Sequence, residues 1–329
     1  MLHKDVGFRS KTTGFDRWEF EHNALPELNF SEINTRVAFL GKELALPLMI
    51  ACMTGGYGDA RSINRKLAEV CEESSIAMGV GSQRQAMEDG AYRKSFSVVR
   101  EVAPTIPLIG NIGAVEVAQL RDALPVQRLI DLIRADALAV HLNPLQELLQ
   151  PEGSPNFRGV LKGIELLVKQ LTIPIIVKEI GAGISESVAR RLIDIGVRII
   201  DVAGAGGTSW AGVEIIRRGG DELEEAFWDW GTPTEEAIAG ITSMRSRISD
   251  LTLIASGGIA SGVHIAKSLA LGADLAGSAR LVIKALHRDG QDGVRKLIEL
   301  WAMELKGVMF LVGAATVEHL KNSPLHRIE

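Results

Sequence analysis

Aromatic side chains make up only 5 % of this chain of 329 residues, with two tyrosines among them. That excludes a stacking platform for nucleic-acid bases, which needs aromatics in series. Charge of one sign is also missing. Lys and Arg number 36 against 41 Asp and Glu, a formal net charge of −5 with no basic stripe or polybasic tail. Nucleic acid is therefore not an expected partner. No apolar run reaches the roughly 18 residues of a membrane-spanning helix. The opening MLHKDVGFRSKTTG has no apolar core of a signal peptide. There are two cysteines, Cys52 and Cys71, on what should be separate elements. A cytoplasmic protein with two free thiols is expected, without a disulfide and without a membrane. Zinc-type Cys/His spacing, a G-x-S-x-G elbow and a P-loop are likewise absent from the sequence.

Glycine is plentiful instead, at 34 residues, and a hydrophobic fraction of 46 % is ample for a large core. Short apolar runs recur: LPLMIA (46–51), AMGVG (77–81), IPLIGNIG (106–113), ADALAVHLN (135–143), IPIIVKEI (173–180), RIIDVAGAG (198–206), LTLIASGG (251–258) and ADLAGSA (273–279). They alternate little, as expected of strands whose outer face is covered by helices. Between them, SINRKLAEVCEESS, SESVARRLIDIG and GVHIAKSLALG repeat apolar residues every three or four positions, the spacing of amphipathic helices. Successive β–α units about thirty residues apart predict an α/β fold of the (β/α)8 TIM-barrel class. A doubly wound sheet is the alternative and requires a reversal of strand order.

Residues 1–329 are then expected to form one barrel domain. Residues 1–45, mixed in pattern and carrying Pro26, are an N-terminal extension of strands and turns. Residues 212–232, GVEIIRRGGDELEEAFWDWGT, are a polar insertion after the sixth strand, either a lid or cofactor rim or a passive surface loop. WAMELKGVMFLVGAATVEHL reads as a terminal helix or helix pair.

A barrel of this class carries its chemistry at the C-terminal ends of its strands. Those ends hold Met53 and Thr54 after the first strand, Ser82, Gln83 and Arg84 after the second, and Asn111 on the third. The fourth supplies His141, Asn143, Gln146 and Glu147, the fifth Lys178 and Glu179, and the sixth Gly204, Gly206, Gly207, Thr208 and Ser209. Ser256, Gly257 and Gly258 follow the seventh, and Ser278, Ala279 and Arg280 the eighth. Nearly every strand thus ends in a polar group or a glycine pair, more than turns alone require. ASGGI and GSAR each precede a helix, so glycine main chain, helix N-termini and Arg280 converge on a phosphate site.

Lys178 lies within the apolar run IPIIVKEI and must find an anion or shift its pKa. Three readings stay open. It pairs structurally with Glu179 or Asp201, it is a Schiff-base nucleophile as in a class I aldolase, or it holds a cation against an electron-rich cofactor ring. VAGAGGTSW is not a dinucleotide fingerprint, and Thr208 is better read as a hydroxyl donor to a phosphate or polyol. His264 reads as a surface residue.

Taken together, FLGKELALPLMIACMTGG, GVGSQRQ, HLNPLQE, IVKEIGAGIS, DVAGAGGTSW, WGTPT, ASGGI and LGADLAGSAR resemble the FMN-dependent type 2 isopentenyl-diphosphate isomerases. The likeness runs from about residue 36 to 280, and the combination of NPLQE with VAGAGGTSW is its specific part. It implies an isomerase that moves a double bond between isopentenyl and dimethylallyl diphosphate without net redox change, in isoprenoid biosynthesis. Reduced FMN supplies the acid/base, NADPH or another reductant primes it, and Mg2+ accompanies the diphosphate. The same resemblance implies that Met53, Thr54, Ser82 and Asn111 line the flavin ring and ribityl chain, with Lys178 at the ring's N1/O2 edge. Thr208, Gly257, Gly258, Ala279 and Arg280 hold the ribityl and phosphate end. Arg84, His141 and Asn143 face the substrate diphosphate, Gln146 lies near the allylic carbon to orient substrate or relay a proton, and Glu147 holds the metal. Gln146, His141 and Asn143 are the implied catalytic residues. The family's homotetramers and homo-octamers make self-assembly an expectation.

One family feature has no match. The Arg-Lys-x-x-His motif expected ahead of KTTG (11–14) is not found in MLHKDV, where His3 and Lys4 are poor substitutes. Either the start is misassigned or trimmed, or the chain is a paralogue with altered substrate or lost activity. An FMN-dependent oxidoreductase and a non-catalytic flavin-binding paralogue are the alternatives that follow.

Overall fold

The computed structural model describes residues 5–88, 90–219, 225–245, 248 and 250–328; His3 and Lys4 lie outside them, as does part of the 212–232 insertion. Eight parallel strands close into a barrel. They are β1 (Leu48–Ile50), β2 (Ala77–Gly79), β3 (Leu108–Gly113), β4 (Ala137–His141), β5 (Ile175–Lys178), β6 (Ile199–Asp201), β7 (Thr252–Ser256) and β8 (Leu275–Ser278). Each falls within one of the eight apolar runs. Each pairs with the next in chain order, and β8 closes on β1 through Ala276–Leu48 and Ser278–Ile50. The doubly wound alternative is thereby excluded.

The lack of alternation has a direct cause, since both faces of the strands are covered. Met49, Ile109, Ile176, Ile199, Ile254 and Leu275 point inward and fill the barrel. Leu48, Ile50, Met78, Leu108, Val140 and Val177 point outward into a second cluster shared with the surrounding helices. Those helices are α1 (Ala60–Glu73), α2 (Arg93–Val102), α3 (Leu124–Ile133), α4 (Val160–Gln170), α5 (Glu186–Asp194), α6 (Thr234–Thr242), α7 (Gly262–Ala270) and α8 (Arg280–Val312). The last is kinked at Asp289 and Gly290, where the backbone leaves helical geometry, and ends at Gly313 with φ +76°. A short helix, Val317–Lys321, completes the expected terminal pair.

The N-terminal extension serves both ends of the barrel. A hairpin, Val37–Phe39 with Lys42–Leu44, inserts Phe39 and Leu44 into the interior cluster and plugs the end opposite the site. Trp18–Phe20 pairs antiparallel with Leu325–Arg327, tying the two chain ends together. The preceding residues cross the mouth on the functional side. Cys52 and Cys71 are free.

Candidate active site

Strand register sets three functional side chains level. His141 of β4 lies opposite Lys178 of β5, and Lys178 lies opposite Asp201 of β6. Lys178, only 6 % exposed, has Asp201 Oδ2 4.0 Å away and donates to the Glu179 carbonyl. Asp201, 1 % exposed, accepts from the Ser256 hydroxyl at 2.6 Å and from the Ala203 N–H at 3.3 Å. Burial pushes the Asp201 carboxyl above its ordinary pKa, against the pull of the Lys178 charge and of these donors. Of the two partners open to Lys178, Asp201 is the counter-ion. Glu179 turns into its own loop, where one carboxylate oxygen accepts from the N–H groups of Ile180 and Gly181 at 2.6 Å, of Ala182, and of Gly183 at 3.3 Å.

His141 Nδ1 lies 2.9 Å from Asn111 Oδ1. Burial, then the charges of Lys178 and Arg84, hold the imidazole pKa down at about 3. The ring is therefore neutral near pH 7, a hydrogen-bonding group and not a cation. Arg84 stays on the outer lip, 3.6 Å from Glu88 and 3.5 Å from Glu116.

Pro144 starts the short helix Pro144–Leu149 at a position where its missing N–H costs nothing. That turn fans out the polar side chains of HLNPLQE. The Asn143 amide donates to Gln146 Oε1 at 3.2 Å and to Glu147 Oε1 at 2.9 Å. Its own oxygen is buried with no partner among the described residues. Such a group costs about 1–3 kcal/mol unless a donor meets it. Gln146 donates at 3.3 Å to Glu214, a buried acid that also faces Arg217. The other Glu147 oxygen accepts from the Ser154 N–H at 2.7 Å.

Thr54 has its side chain committed within the protein. Its hydroxyl donates to Asn64 of α1, and its carbonyl accepts from Asn64 at 3.1 Å and from Gly81 at 2.7 Å. What Thr54 offers a ligand is main chain. Met53 stays partly buried beside it, and the Ser82 hydroxyl approaches the Arg84 N–H at 3.5 Å. Gln83 is structural: its amide is buried and bridges Asn111 N–H to the Leu129 carbonyl.

The opposite half of the rim is main chain. Gly257 and Gly258 take φ of +99° and +76°, and a Cβ at Gly257 would collide with the Gly204 backbone. Thr234 secures the Gly257 carbonyl at 2.6 Å. α8 begins at Arg280 directly after β8, and Ala279 provides no side-chain cap. α7 follows ASGGI as expected, with Ser261 capping it at the His264 N–H. One open helix N-terminus therefore faces this corner, and β7 contributes glycine backbone. Arg280 Nε is buried without a partner among the described residues, while its outer nitrogen lies 3.4 Å from the exposed Asp5. His264 is not a surface residue. It is half-buried, with its ring centroid 5.1 Å from that of Phe15.

Across this half runs the segment 5–14. Gly7 bridges Thr208 in antiparallel fashion, and the Ser209 N–H donates to the Val6 carbonyl at 2.8 Å. The Trp228 indole donates to the Gly7 carbonyl at 2.9 Å. Asp229 accepts from the main-chain N–H groups of Arg9 and Ser10 at 2.8 and 3.0 Å and from the Ser10 hydroxyl at 2.6 Å. The Arg9 guanidinium stacks 3.6 Å over Trp228. The described part of the insertion is thus not a passive loop. Trp210–Arg218 is a helix whose Ala211 and Ile215 pack on Trp228 and Leu149.

Sequence reading missed four of these groups. Asn64 had a signal, since it falls on the buried stripe of α1 with Ala60 and Leu67. Glu214 had a weaker one, an acid between apolar Val213 and Ile215. Trp228 and Asp229 had none, because their partners lie more than two hundred residues away.

Residues 2–99 and 142–327 match the FMN-dependent dehydrogenase family. The chain is 48 % identical to the isopentenyl-diphosphate delta-isomerase of Pelodictyon phaeoclathratiforme over 98 % of its length and 93 % of the relative's. The Chlorobaculum parvum protein of that name is also 48 % identical, over 99 % and 94 %. The chain belongs to the FMN-dependent isopentenyl-diphosphate delta-isomerase family. The family extends beyond these two, since the Pseudescherichia vulneris isomerase is 45 % identical over 96 % of this chain and 91 % of its own. Among solved structures, a Pediococcus acidilactici lactate oxidase superposes with a TM-score of 0.72 at 19 % identity, covering 98 % of this chain and 88 % of its own. A mandelate oxidase bearing an FMN adduct gives 0.67 at 21 %, covering 98 % and 93 %. These oxidases share the fold.

The rim fits the family's flavin. Side-chain-free glycine backbone, an uncapped helix start and an Arg280 guanidinium with an orphaned buried nitrogen suit a phosphate. A buried ammonium at the opposite corner suits an electron-rich ring edge. For a divalent cation the fit is narrower. Among the described residues no group of three His, Cys, Asp or Glu could hold a metal, so Glu147 would need oxygens from a ligand and from water. No helix among the described residues is long and apolar enough to cross a membrane.

Proposed function

We propose that this chain interconverts isopentenyl and dimethylallyl diphosphate, with reduced FMN as the acid/base, Mg2+ on the diphosphate and NADPH as the priming reductant. One observation carries the reading. The four buried or half-buried carboxylates around Lys178 and Gln146 are already engaged: Asp201 by Ser256 and Lys178, Glu179 by its loop, Glu147 by Asn143 and Ser154, Glu214 by Gln146 and Arg217, while Glu116 at the lip faces Arg84. His141 is held neutral. A double-bond shift needs one proton delivered and one removed, and reduced FMN supplies that proton chemistry when bound.

The chain's own residues then bind and orient. Arg84 with neutral His141 takes the diphosphate at the lip, and the orphaned Asn143 oxygen meets a ligand donor. Glu147 keeps one oxygen bonded to the Ser154 N–H and brings its charge to a Mg2+ shared with the diphosphate. Gln146, steadied by Glu214, holds the allylic carbon in line. Lys178 stabilises negative charge at the ring edge, with Asp201 fixing its position. Gly257, Gly258, Ala279 and Arg280 anchor the phosphate end, with Thr208 beside them. Met53, Thr54 main chain, Ser82 and Asn111 line the flavin. This assignment, cytoplasmic location and a homotetramer or homo-octamer complete the proposal.

The test is an anaerobic assay of the chain with FMN, dithionite, Mg2+ and isopentenyl diphosphate. Dimethylallyl diphosphate is expected to accumulate over many turnovers per flavin reduced. Reductant consumed one-for-one with product would indicate an FMN oxidoreductase instead. No product with FMN bound would indicate a non-catalytic paralogue.

A further inference from the structure

Beside Gln146 lies a recess of about 10 Å³, walled by Phe8, Leu145, Gly181, Trp210 and Trp230. That volume admits one water- or methyl-sized group. Three of its walls are aromatic, in a chain with only 5 % aromatic residues. None of the three comes from the barrel. Phe8 belongs to the segment crossing the mouth, Trp210 opens the helix after β6, and Trp230 ends the insertion. Gln146, Glu179 and Ser209 form its polar side; a Glu179 oxygen is held by its own loop and the Ser209 hydroxyl by the Trp228 carbonyl, and the aromatic rings with Leu145 and Ile180 form the apolar side.

Phe8 is held there from both sides. Gly7 accepts from the Trp228 indole, and the Arg9 N–H donates to Asp229. Trp228 itself is only 6 % exposed, so the anchor is rigid. Trp230 is the contrast, 60 % exposed with its ring edge-on to Phe227 at 5.9 Å. A large aromatic left open beside a polar cleft is apolar surface available to a ligand.

We infer that Phe8, Trp210 and Trp230 form the specificity wall for the hydrocarbon end of the substrate, accepting a methyl-sized branch beside Gln146 and refusing a longer chain. This rests on the proposed reading of the site. A diphosphate held at the Arg84 lip points its short branched tail at Gln146 and into the recess. A further isoprenoid unit would have to displace an anchored phenylalanine or a tryptophan, and a packed wall resists that insertion. Discrimination of roughly 10- to 200-fold per added methylene is the range apolar pockets reach.

The test uses the full chain loaded with FMN and two unreactive saturated ligands, isopentyl diphosphate and the longer dihydrocitronellyl diphosphate, titrated calorimetrically with Mg2+ present. The wild type should favour the short ligand by at least about 100-fold. Phe8→Ala and Trp230→Ala should each cut that ratio by about tenfold or more while inorganic diphosphate binds as before. Phe8→Leu, which refills most of the space, should restore most of the ratio. An unchanged ratio in both alanine variants overturns the wall, as does a wild type that binds both ligands equally or neither. A wild type that selects the short ligand but produces no dimethylallyl diphosphate leaves the wall standing and overturns the isomerase reading.

Discussion

The two halves of the barrel mouth solve opposite problems. From β3 to β6 the rim is crowded with side chains, Asn111, His141, Asn143, Gln146, Lys178 and Asp201, that bond to one another before any ligand arrives. From β6 to β8 the rim is glycine backbone, one uncapped helix start and Arg280. On the proposed reading, the difference separates reacting end from anchor. A reacting centre needs groups of set charge and orientation, which side chains held by neighbours supply. An anchor for a phosphate needs close approach of N–H groups, which a Cβ would block.

The sharpest way to break the anchor half is Gly257→Ala. Its Cβ meets the Gly204 backbone and its φ of +99° already disfavours any side chain. A loss of at least about 3 kcal/mol in urea unfolding, with FMN content falling, is expected. Gly41→Ala, at φ +74° but with open space around it, should cost only about 1–2 kcal/mol. Equal losses at the two sites would show that close approach has no part in the glycine loop.

On the reacting half, Gln146→Asn shortens the side chain that reaches Glu214 without touching the anchor. Turnover should drop about 100-fold at unchanged FMN content, measured by isomer formation against flavin absorbance. Unchanged turnover would remove Gln146 from the chemistry.

Lys178→Ala should weaken reduced FMN about tenfold more than oxidised FMN, because only the reduced ring carries the charge that an ammonium favours. Equal weakening would make Lys178 a structural partner of Asp201 and nothing more.

The smallest effect sharpens the electrostatics. His141 has a folded pKa of about 3 against an ordinary 6.5. The unfolded chain therefore takes up the proton first, and stability falls as pH drops through that window. Asp201 and Glu179, raised by burial, act in the opposite sense, losing stability as pH rises above their ordinary values. The informative quantity is thus a difference. His141→Asn should flatten the decline between pH 6.5 and 4 relative to wild type, and the wild-type ring should show no NMR titration above about pH 5. A ring that titrates near 6.5 would mean that it is solvated and free to carry charge.

Much of this was legible from residues alone, for physical reasons that differ by element. The eight strands could be read because both their faces are buried, which writes itself as short unbroken apolar runs. The glycine loop after β7 could be read because glycine has few substitutes where backbone must approach backbone closely. The helix expected after ASGGI is present, but that Ser261, three residues beyond the glycine pair, caps its first turn is a detail the glycines do not announce. That the Thr54 hydroxyl is spent on Asn64 could not be read, because the buried stripe of α1 marks Asn64 as buried without saying which strand end it meets. His264 failed because Phe15 reaches it from across the chain.

Local pattern, then, determined the barrel, the rim positions and the types of chemistry available at each strand end, because periodicity and glycine placement are short-range constraints. Only the tertiary structure decided which partner each group has. That Asp201 and not Glu179 answers Lys178 depends on the register of β5 against β6 and on the nest of N–H groups that draws Glu179 away. That Phe8 stands beside Gln146 depends on Trp228 and Asp229, some 220 residues further along the chain. Hydrogen bonds and buried charge are settled by proximity in space, and sequence distance carries no record of it.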